Sequence, residues 1–168
     1  MTEIPPFPLH YESTALLNAP AEVAFVFLDD FRKLSAHMEK PSAMMMGSRM
    51  TISSDAQAGR AVGSKVRMDG ELMGLKLSLE EVVTERRPPL RKAWQTIDAK
   101  LLVIGQYRLG FDISPNGNRS ALRVFIDYGL PRSWPARWLG RLFGKRYARW
   151  CTERMANDAS RHFANAGA

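Results

Sequence analysis

The sequence predicts an α+β fold in which an antiparallel sheet of about six or seven strands curves around one long C-terminal helix. Between residues 43 and 128, apolar and polar side chains alternate in short runs separated by turn residues, as in strands with one buried face. Near the C-terminus, apolar residues recur at helical spacing instead. A one-sided helix must bury its apolar stripe, and the sheet is the partner that this sequence offers. A sheet that covers a single helix has to bend around it.

One strand and two short helices are predicted before the main run of strands. Residues 10–17 alternate in the manner of a strand. Pro20 lies in a helix-start motif, and the segment that follows, 23–28, is apolar nearly all round, so we expect it to be largely buried. Asp30 is positioned to cap a second short helix over 31–38.

The middle of the chain predicts strands joined by tight turns. The segments with strand patterns are 43–52, 63–71, 75–80, 92–98, 105–113 and 120–128. Met73-Gly74 and Pro115-Asn116-Gly117 predict hairpin turns, and the loop that contains Pro88-Pro89 cannot belong to a central strand. The inward-facing residue of the strand around Trp94 is left open, because Ala93 and its neighbours compete for that face.

The C-terminal stretch 131–163 predicts the long helix. Ser133 and Pro135 are start signals. The apolar stripe consists of Tyr147, Trp150, Cys151, Met155, Ala159, His162 and Phe163. Gly140 and Gly144 each cost about 1 kcal/mol relative to alanine inside a helix. We therefore expect a break there, with a short helix over 134–142 before the long one; close helix packing through these glycines is the less favoured interpretation.

Length, composition and charge predict one domain over residues 1–168, of which the first eight or so form a tail. The chain begins without the basic and apolar segments of a signal peptide and has a single cysteine, Cys151, so we expect a cytoplasmic protein without an internal disulfide. The formal net charge is +7. Most of it is local, because residues 131–154 hold seven basic side chains and one acid, Glu153.

The order of elements, together with several short motifs, resembles the helix-grip fold of the START and polyketide-cyclase (SRPBCC) superfamily. The motifs are APAEVAF at 19–25 followed by Asp29 or Asp30, VVTE at 82–85 ending in Pro88-Pro89, YRL at 107–109 before Asn116-Gly117, and the long final helix. The resemblance covers roughly residues 11–163. It implies a cavity between curved sheet and helix that holds hydrophobic small molecules. The superfamily has no universal catalytic motif, so the resemblance supplies no catalytic residues.

The residue types predict binding better than catalysis. One cysteine and three dispersed histidines lack metal-ligand spacing, and phosphate-loop and dinucleotide motifs are absent, so we expect no metal and no cofactor. The adjacent acids Asp29-Asp30 and Glu80-Glu81 are interpreted as caps and solvated side chains. Methionines between residues 38 and 73 suit a pocket for varied apolar ligands. Core filling is the favoured interpretation of any single methionine, but for Met44, Met46 and Met68 the two interpretations are about equally supported. The candidate ligand-binding residues are Met44, Met46, Met68, Trp94, Tyr107, Phe111, Val124, Trp150 and Met155.

Three functions remain open on the sequence. The leading hypothesis is a protein that binds a hydrophobic small molecule or lipid between sheet and helix. An alternative is a cyclase or dehydratase, for which Tyr107 and His162 are the candidate proton carriers. The third is a lipid-transfer module whose basic 131–154 segment meets an anionic membrane or an acidic partner through Arg137, Arg141, Lys145 and Arg149, although a merely solvated basic face is as well supported. Nucleic acid is the least favoured partner, because nothing else resembles a base-reading module.

Overall fold

The computed structural model describes residues 7–34, 50–72 and 74–165, and it confirms the α+β order of elements. The strands are β1 (Leu9–Leu17), β2 (Met50–Ser54), β3 (Lys65–Leu72), β4 (Leu75–Arg87), β5 (Arg91–Lys100), β6 (Tyr107–Asn116) and β7 (Arg119–Tyr128). The helices are α1 (Ala21–Leu28), α2 (Phe31–Leu34) and α3 (Trp134–Asn165). The predictions for 35–38 and 43–49, which include Met44 and Met46, lie outside the described residues.

The strands form one antiparallel sheet in the order β1-β7-β6-β5-β4-β3-β2. Tight turns connect β3 to β4 and β6 to β7, and Gly74 and Gly117 lie at these turns with φ of +80° and +60°. These are left-handed conformations that glycine adopts without steric cost. Both hairpin predictions are therefore confirmed. The first strand, β1, pairs with β7 at one edge of this sheet, and β2 forms the other edge.

The alternating strands bury one face against the helices. In β7, Leu122, Val124 and Ile126 are buried, as their spacing predicted. The sequence left open which residue of β5 faces the helices. Trp94 is buried on that inner face, and its neighbour Ala93 is buried on the opposite face. Helix α3 lies along β1 and β7, and helix α1 packs against β6 and β7. The described core therefore lies between the sheet and these two helices.

Helix α3 is continuous from Trp134 to Asn165, so the predicted break at the two glycines is wrong. Both glycines are buried where α3 packs against the segment before β6. A Cβ atom on Gly140 would lie 2.9 Å from the Val103 carbonyl oxygen and 2.8 Å from Pro131 Cδ. The same atom on Gly144 would lie 3.1 Å from that carbonyl oxygen. The glycines are therefore needed for close approach, and this packing outweighs their low helix propensity.

A buried ion pair fastens the end of α1 to the sheet. Asp29 accepts hydrogen bonds from Lys92 Nζ at 2.8 Å and from the Arg86 guanidinium at 2.9 and 3.2 Å. The Lys92 side chain is fully buried, and its ammonium lies 4.6 Å from the ring centre of Phe31. Burial alone raises the pKa of Asp29, but the hydrogen bonds from Arg86 and Lys92 lower it overall. Asp29 is thus neither a simple cap nor solvated, whereas Asp30 does cap α2 through the Arg32 N–H.

None of the helices in the described ranges is long and apolar enough to cross a membrane.

Candidate ligand site

An internal cavity lies between the sheet and α3. Strands β3 to β7 form one wall of it, and α3 forms the other. Most of its lining is apolar, with a carboxyl, two phenols and a thiol as the polar groups. The lining residues are Met68, Glu81, Trp94, Ile104, Tyr107, Leu109, Ile126, Tyr147, Cys151 and Met155.

The cavity is small. Its volume is about 10 Å³, which is close to the space that a single water requires. The resemblance implied room for a whole ligand, and pockets for such ligands measure about 300–1,000 Å³. The close contact of Gly140 and Gly144 with the 101–105 segment brings α3 near the sheet. Bulky Trp94 and Tyr107 occupy much of the space that is left.

Glu81 places a carboxyl group inside this cavity. It follows the inward phase of Leu77 and Leu79 on β4, and its side chain is 1 % exposed. The Tyr107 hydroxyl donates a hydrogen bond of 2.5 Å to Glu81 Oε1. Glu81 Oε2 has no hydrogen-bond partner, which distinguishes it from every other buried side-chain oxygen and nitrogen in the described ranges. A buried acceptor or donor without a partner costs about 1–3 kcal/mol, so this atom needs an explanation.

Burial is the main cause of the shifted pKa values in this cavity. It raises the pKa of Glu81 to about 7, although the hydrogen bond from Tyr107 and the nearby Trp94 indole N–H, which does not have hydrogen-bond geometry to Oε2, favour the charged carboxylate. Burial and the neighbouring Glu81 also raise the pKa of Tyr107 well above its ordinary value, so this phenol stays protonated and remains a donor. The pKa of the Cys151 thiol is raised to about 12 by burial, so it remains a neutral thiol near pH 7. Glu81 is therefore the group in the cavity lining that changes charge near neutrality.

An outer groove adjoins the cavity at one residue. The groove has a volume of about 500 Å³ and lies between the ends of β5 and β7 and the start of α3. Ile104, which is 1 % exposed, lines both the groove and the internal cavity. Hydrogen bonds of 2.9 Å join the backbone of Gly105 and Gln106 to Gly129 on either side of the groove. Ile104 is therefore the described residue that the lining of the groove and the lining of the cavity have in common.

The structure gathers four of the predicted ligand-binding residues around the cavity: Met68, Trp94, Tyr107 and Met155. Phe111 and Val124 face each other on β6 and β7 in the solid core and do not line the cavity. Phe111 packs instead on Phe25, with ring centres 5.8 Å apart. Trp150 is half-buried beside Tyr147, outside the lining. Whether any of these residues binds a ligand stays a prediction.

Two acid–base assignments from the sequence are wrong. Glu81 is buried rather than solvated; its neighbour Glu80 lies 3.5 Å from Lys65 in an ion pair. The strand alternation contained the signal, because adjacent residues face opposite ways and Glu81 shares the phase of Leu79. His162 lies on the exposed side of α3 and stacks on Phe27 at 4.2 Å, so it cannot transfer protons in the cavity.

The polar groups in the cavity suit hydrogen bonding and proton transfer. The described residues contain no cluster of histidine, cysteine or acidic side chains that could hold a metal ion. A carboxyl group with a pKa of about 7 can give or take a proton at neutral pH, and a phenol beside it can orient a polar substituent. The same pair can equally serve as a recognition site without any chemistry.

A second surface feature lies on the solvent side of α3. We call it the basic aromatic face and define it by Trp134, Arg137, Trp138, Arg141, Leu142 and Lys145. Trp134 is 83 % exposed and Trp138 is 59 % exposed. The cations of this face are exposed, and no carboxylate in the described ranges lies within ion-pair distance of Arg137, Arg141 or Lys145. Arg149, in contrast, pairs with Glu153 at 2.8 Å.

Comparison with known proteins gives similarity of structure rather than of sequence. No family model matches the chain, and no curated protein matches it in sequence. A START superfamily protein from Mycobacterium smegmatis is 17% identical, with a TM-score of 0.60, over 94% of this chain and 98% of that one. An aromatase/cyclase from Streptomyces sp. R1128 is also 17% identical, with a TM-score of 0.61, over 91% of this chain and 94% of that one.

Truncated norcoclaurine synthase from Thalictrum flavum is similar as well, at 13% identity and a TM-score of 0.63, covering 90% of this chain and 91% of that one. These matches extend along almost the whole chain. The protein therefore has the helix-grip fold, as the sequence resemblance predicted: a seven-stranded antiparallel sheet with a long C-terminal helix.

The raised pKa of Glu81 predicts how its contribution to stability depends on pH. Between about pH 4.5, the ordinary value, and about pH 7, the folded state keeps a proton that the unfolded chain releases. Stability from this group is therefore fully present at low pH and is lost as the pH rises to about 7. Replacing Glu81 by glutamine removes this loss. We expect the Glu81→Gln variant to gain about 3 kcal/mol relative to the wild type between pH 4.5 and pH 8.

Urea unfolding of both proteins across this pH range measures the difference. The control is Glu80→Gln, which removes the neighbouring carboxylate on the other face of β4. A Glu81→Gln difference that stays constant with pH would mean that Glu81 titrates like a solvated glutamate.

Proposed function

We propose that the protein binds a hydrophobic small molecule or lipid between the sheet and α3. The observation that supports this most strongly is the apolar cavity that contains a buried carboxyl oxygen without a partner. A core that served stability alone gains nothing from such an atom. The structures to which the chain is similar include an aromatase/cyclase and a synthase, whose names describe chemistry on small molecules, and this agrees with the proposal.

The small volume requires that the cavity widens when a ligand enters. Met68 and Met155 stand on opposite walls, and an unbranched thioether side chain changes shape at low cost. An apolar ligand that buries about 300 Å² gains about 7 kcal/mol, which exceeds the cost of moving a few side chains. Because only molecules with a widened cavity can bind, the observed affinity is the intrinsic affinity multiplied by the fraction of such molecules.

This mechanism predicts that a smaller wall residue strengthens binding. Met155→Ala should tighten the binding of N-phenyl-1-naphthylamine, a neutral fluorescent dye, by about tenfold, because opening the cavity then costs about 1.4 kcal/mol less. Dye fluorescence titration measures the affinity. The control is Met50→Ala, which removes an equally buried methionine that does not line the cavity. Circular dichroism confirms folding, since such substitutions cost about 2–5 kcal/mol. Failure of the dye to bind to any of these proteins, or equal tightening by both variants, contradicts the proposal.

A proton-transfer enzyme of the cyclase or dehydratase class is the alternative for the same cavity. Glu81 would then exchange the proton, while Tyr107 would hold the carboxyl group in place. His162, the other candidate from the sequence, lies outside this site. Binding is the simpler proposal, because it requires only the apolar lining and one polar contact.

An anionic membrane is proposed as a second partner, at the basic aromatic face. Tryptophan rings favour the interface between lipid and water, and each lysine or arginine near an anionic leaflet contributes about 1 kcal/mol. Trp134 and Trp138 are exposed next to Arg141 and Lys145, so one side of α3 offers both kinds of contact. The outer groove begins at Pro131 and Ser133, beside this face, so a docked protein would have its groove near the lipid.

The membrane proposal predicts charge-dependent binding to vesicles. We expect cosedimentation with phosphatidylglycerol-containing vesicles but not with pure phosphatidylcholine vesicles. The double substitution Arg141→Gln/Lys145→Gln should weaken it about 30-fold, because two cationic contacts are worth about 2 kcal/mol. The control pair is Lys76→Gln/Arg119→Gln, which removes the same charge from exposed positions on the sheet. Equal weakening by both pairs would show an effect of net charge alone and would contradict docking by this face.

A further inference from the structure

We infer that Glu81 Oε2 is the recognition point for a hydroxyl group on an otherwise apolar ligand. This inference rests on the proposed function and specifies the chemistry of its ligand. Oε2 is buried in the cavity wall and has no partner, while the other oxygen of the same carboxyl group accepts the Tyr107 hydroxyl. Glu81 Oε1 is thus held by the protein, and Oε2 is available to a ligand that enters the cavity.

The hydrogen bond at Oε1 also fixes the direction in which Oε2 points. Tyr107 is on β6, and Glu81 is on β4. Their hydrogen bond therefore spans the strand between them and holds the carboxyl plane. Tyr107 is itself held by its backbone, whose N–H donates to Thr96 Oγ1 at 3.0 Å on β5. An acceptor that is held on three neighbouring strands is preorganised, so a ligand group meets it without an ordering cost.

A ligand hydroxyl group matches Glu81 Oε2 better than a group that can only donate or only accept a hydrogen bond. A carboxyl group that titrates near neutrality presents Oε2 either as an acceptor or as a donor. A hydroxyl can donate to the first form and accept from the second, whereas an ether or a ketone can only accept. An ammonium group would have to form a buried ion pair in a lining that is otherwise apolar, at a large cost of desolvation.

The size of the cavity agrees with a small polar group at this point. About 10 Å³ beside Oε2 accommodates one water-sized group and no more. The apolar body of the ligand then occupies the space that opens when Met68 and Met155 rearrange, as the proposed function requires. Ile104 lines both this cavity and the outer groove of about 500 Å³. A ligand that displaces the Ile104 side chain can therefore enter from the groove and place its hydroxyl at Glu81.

The inference predicts selectivity between two naphthalenes of nearly equal size. 2-Naphthol and 2-methylnaphthalene compete with bound N-phenyl-1-naphthylamine, and the ratio of their inhibition constants reports the hydroxyl contact. We expect Glu81→Met to reduce the preference for 2-naphthol at least about tenfold, since methionine removes the strong hydrogen bond that a carboxyl group forms with the hydroxyl. Glu81→Gln, which keeps the shape and a neutral hydrogen bond, should fall between the wild type and Glu81→Met. Glu80→Gln should leave the ratio unchanged.

The outcomes separate this inference from the proposed function. If both naphthalenes displace the dye and the ratio is the same in the wild type and both Glu81 variants, the cavity binds apolar molecules but Oε2 does not recognise a hydroxyl, and only the inference is overturned. Tighter binding of 2-naphthylmethylamine than of 2-naphthol would also overturn it, in favour of a cationic ligand. If neither the dye nor any naphthalene binds, the proposed function fails as well.

Discussion

The approach of α3 to the sheet is the constraint on which the rest of the structure depends. Small residues recur every fourth position along its inner side, at Gly140, Gly144, Ala148, Thr152 and Ala156, and all are buried. The Thr152 hydroxyl forms a hydrogen bond of 2.9 Å with Ser13 on β1, which fixes the helix against that edge of the sheet. Because the helix lies so close, the described residues around Glu81 leave a pocket of only about one water's volume between α3 and the sheet.

Two buried carboxylates show what this tight interior permits. Asp29 is surrounded by Lys92 and Arg86, and its pKa is lowered, so its negative charge is compensated and its role is to join α1 to the sheet. No cation lies among the described residues that line the cavity with Glu81, and the pKa of Glu81 is raised to about 7. The carboxylate of Asp29 therefore has its partners within the protein. The carboxyl group of Glu81 lacks a partner for Oε2, which lies in the lining of the cavity.

Sequence patterns predicted the fold well, because strand alternation and turn residues act locally. The hairpins at Gly74 and Gly117 and the inward faces of β6 and β7 needed no knowledge of distant contacts. The helix break at Gly140 was predicted wrongly, since propensity is local while the Val103 carbonyl that demands a glycine is far away in sequence. Among the residues of the cavity lining, Tyr107 followed from the alternation of its strand, whereas the alternation left the inward position of Trp94 open. Glu81 was not predicted, because adjacent acids such as Glu80-Glu81 most often lie at a solvated face, whereas the structure buries Glu81 on the inner face of β4.

The central claim is that ligands bind between the sheet and α3, beside Glu81. Nuclear Overhauser effects between bound 2-naphthol and methionine methyl groups, in protein labelled with ¹³C-methyl methionine, test it most directly. We expect contacts from the naphthol ring protons to the methyl groups of Met68 and Met155, which line the cavity from β3 and from α3. Contacts only to the rings of Trp134 and Trp138, on the exposed side of the helix, would contradict it.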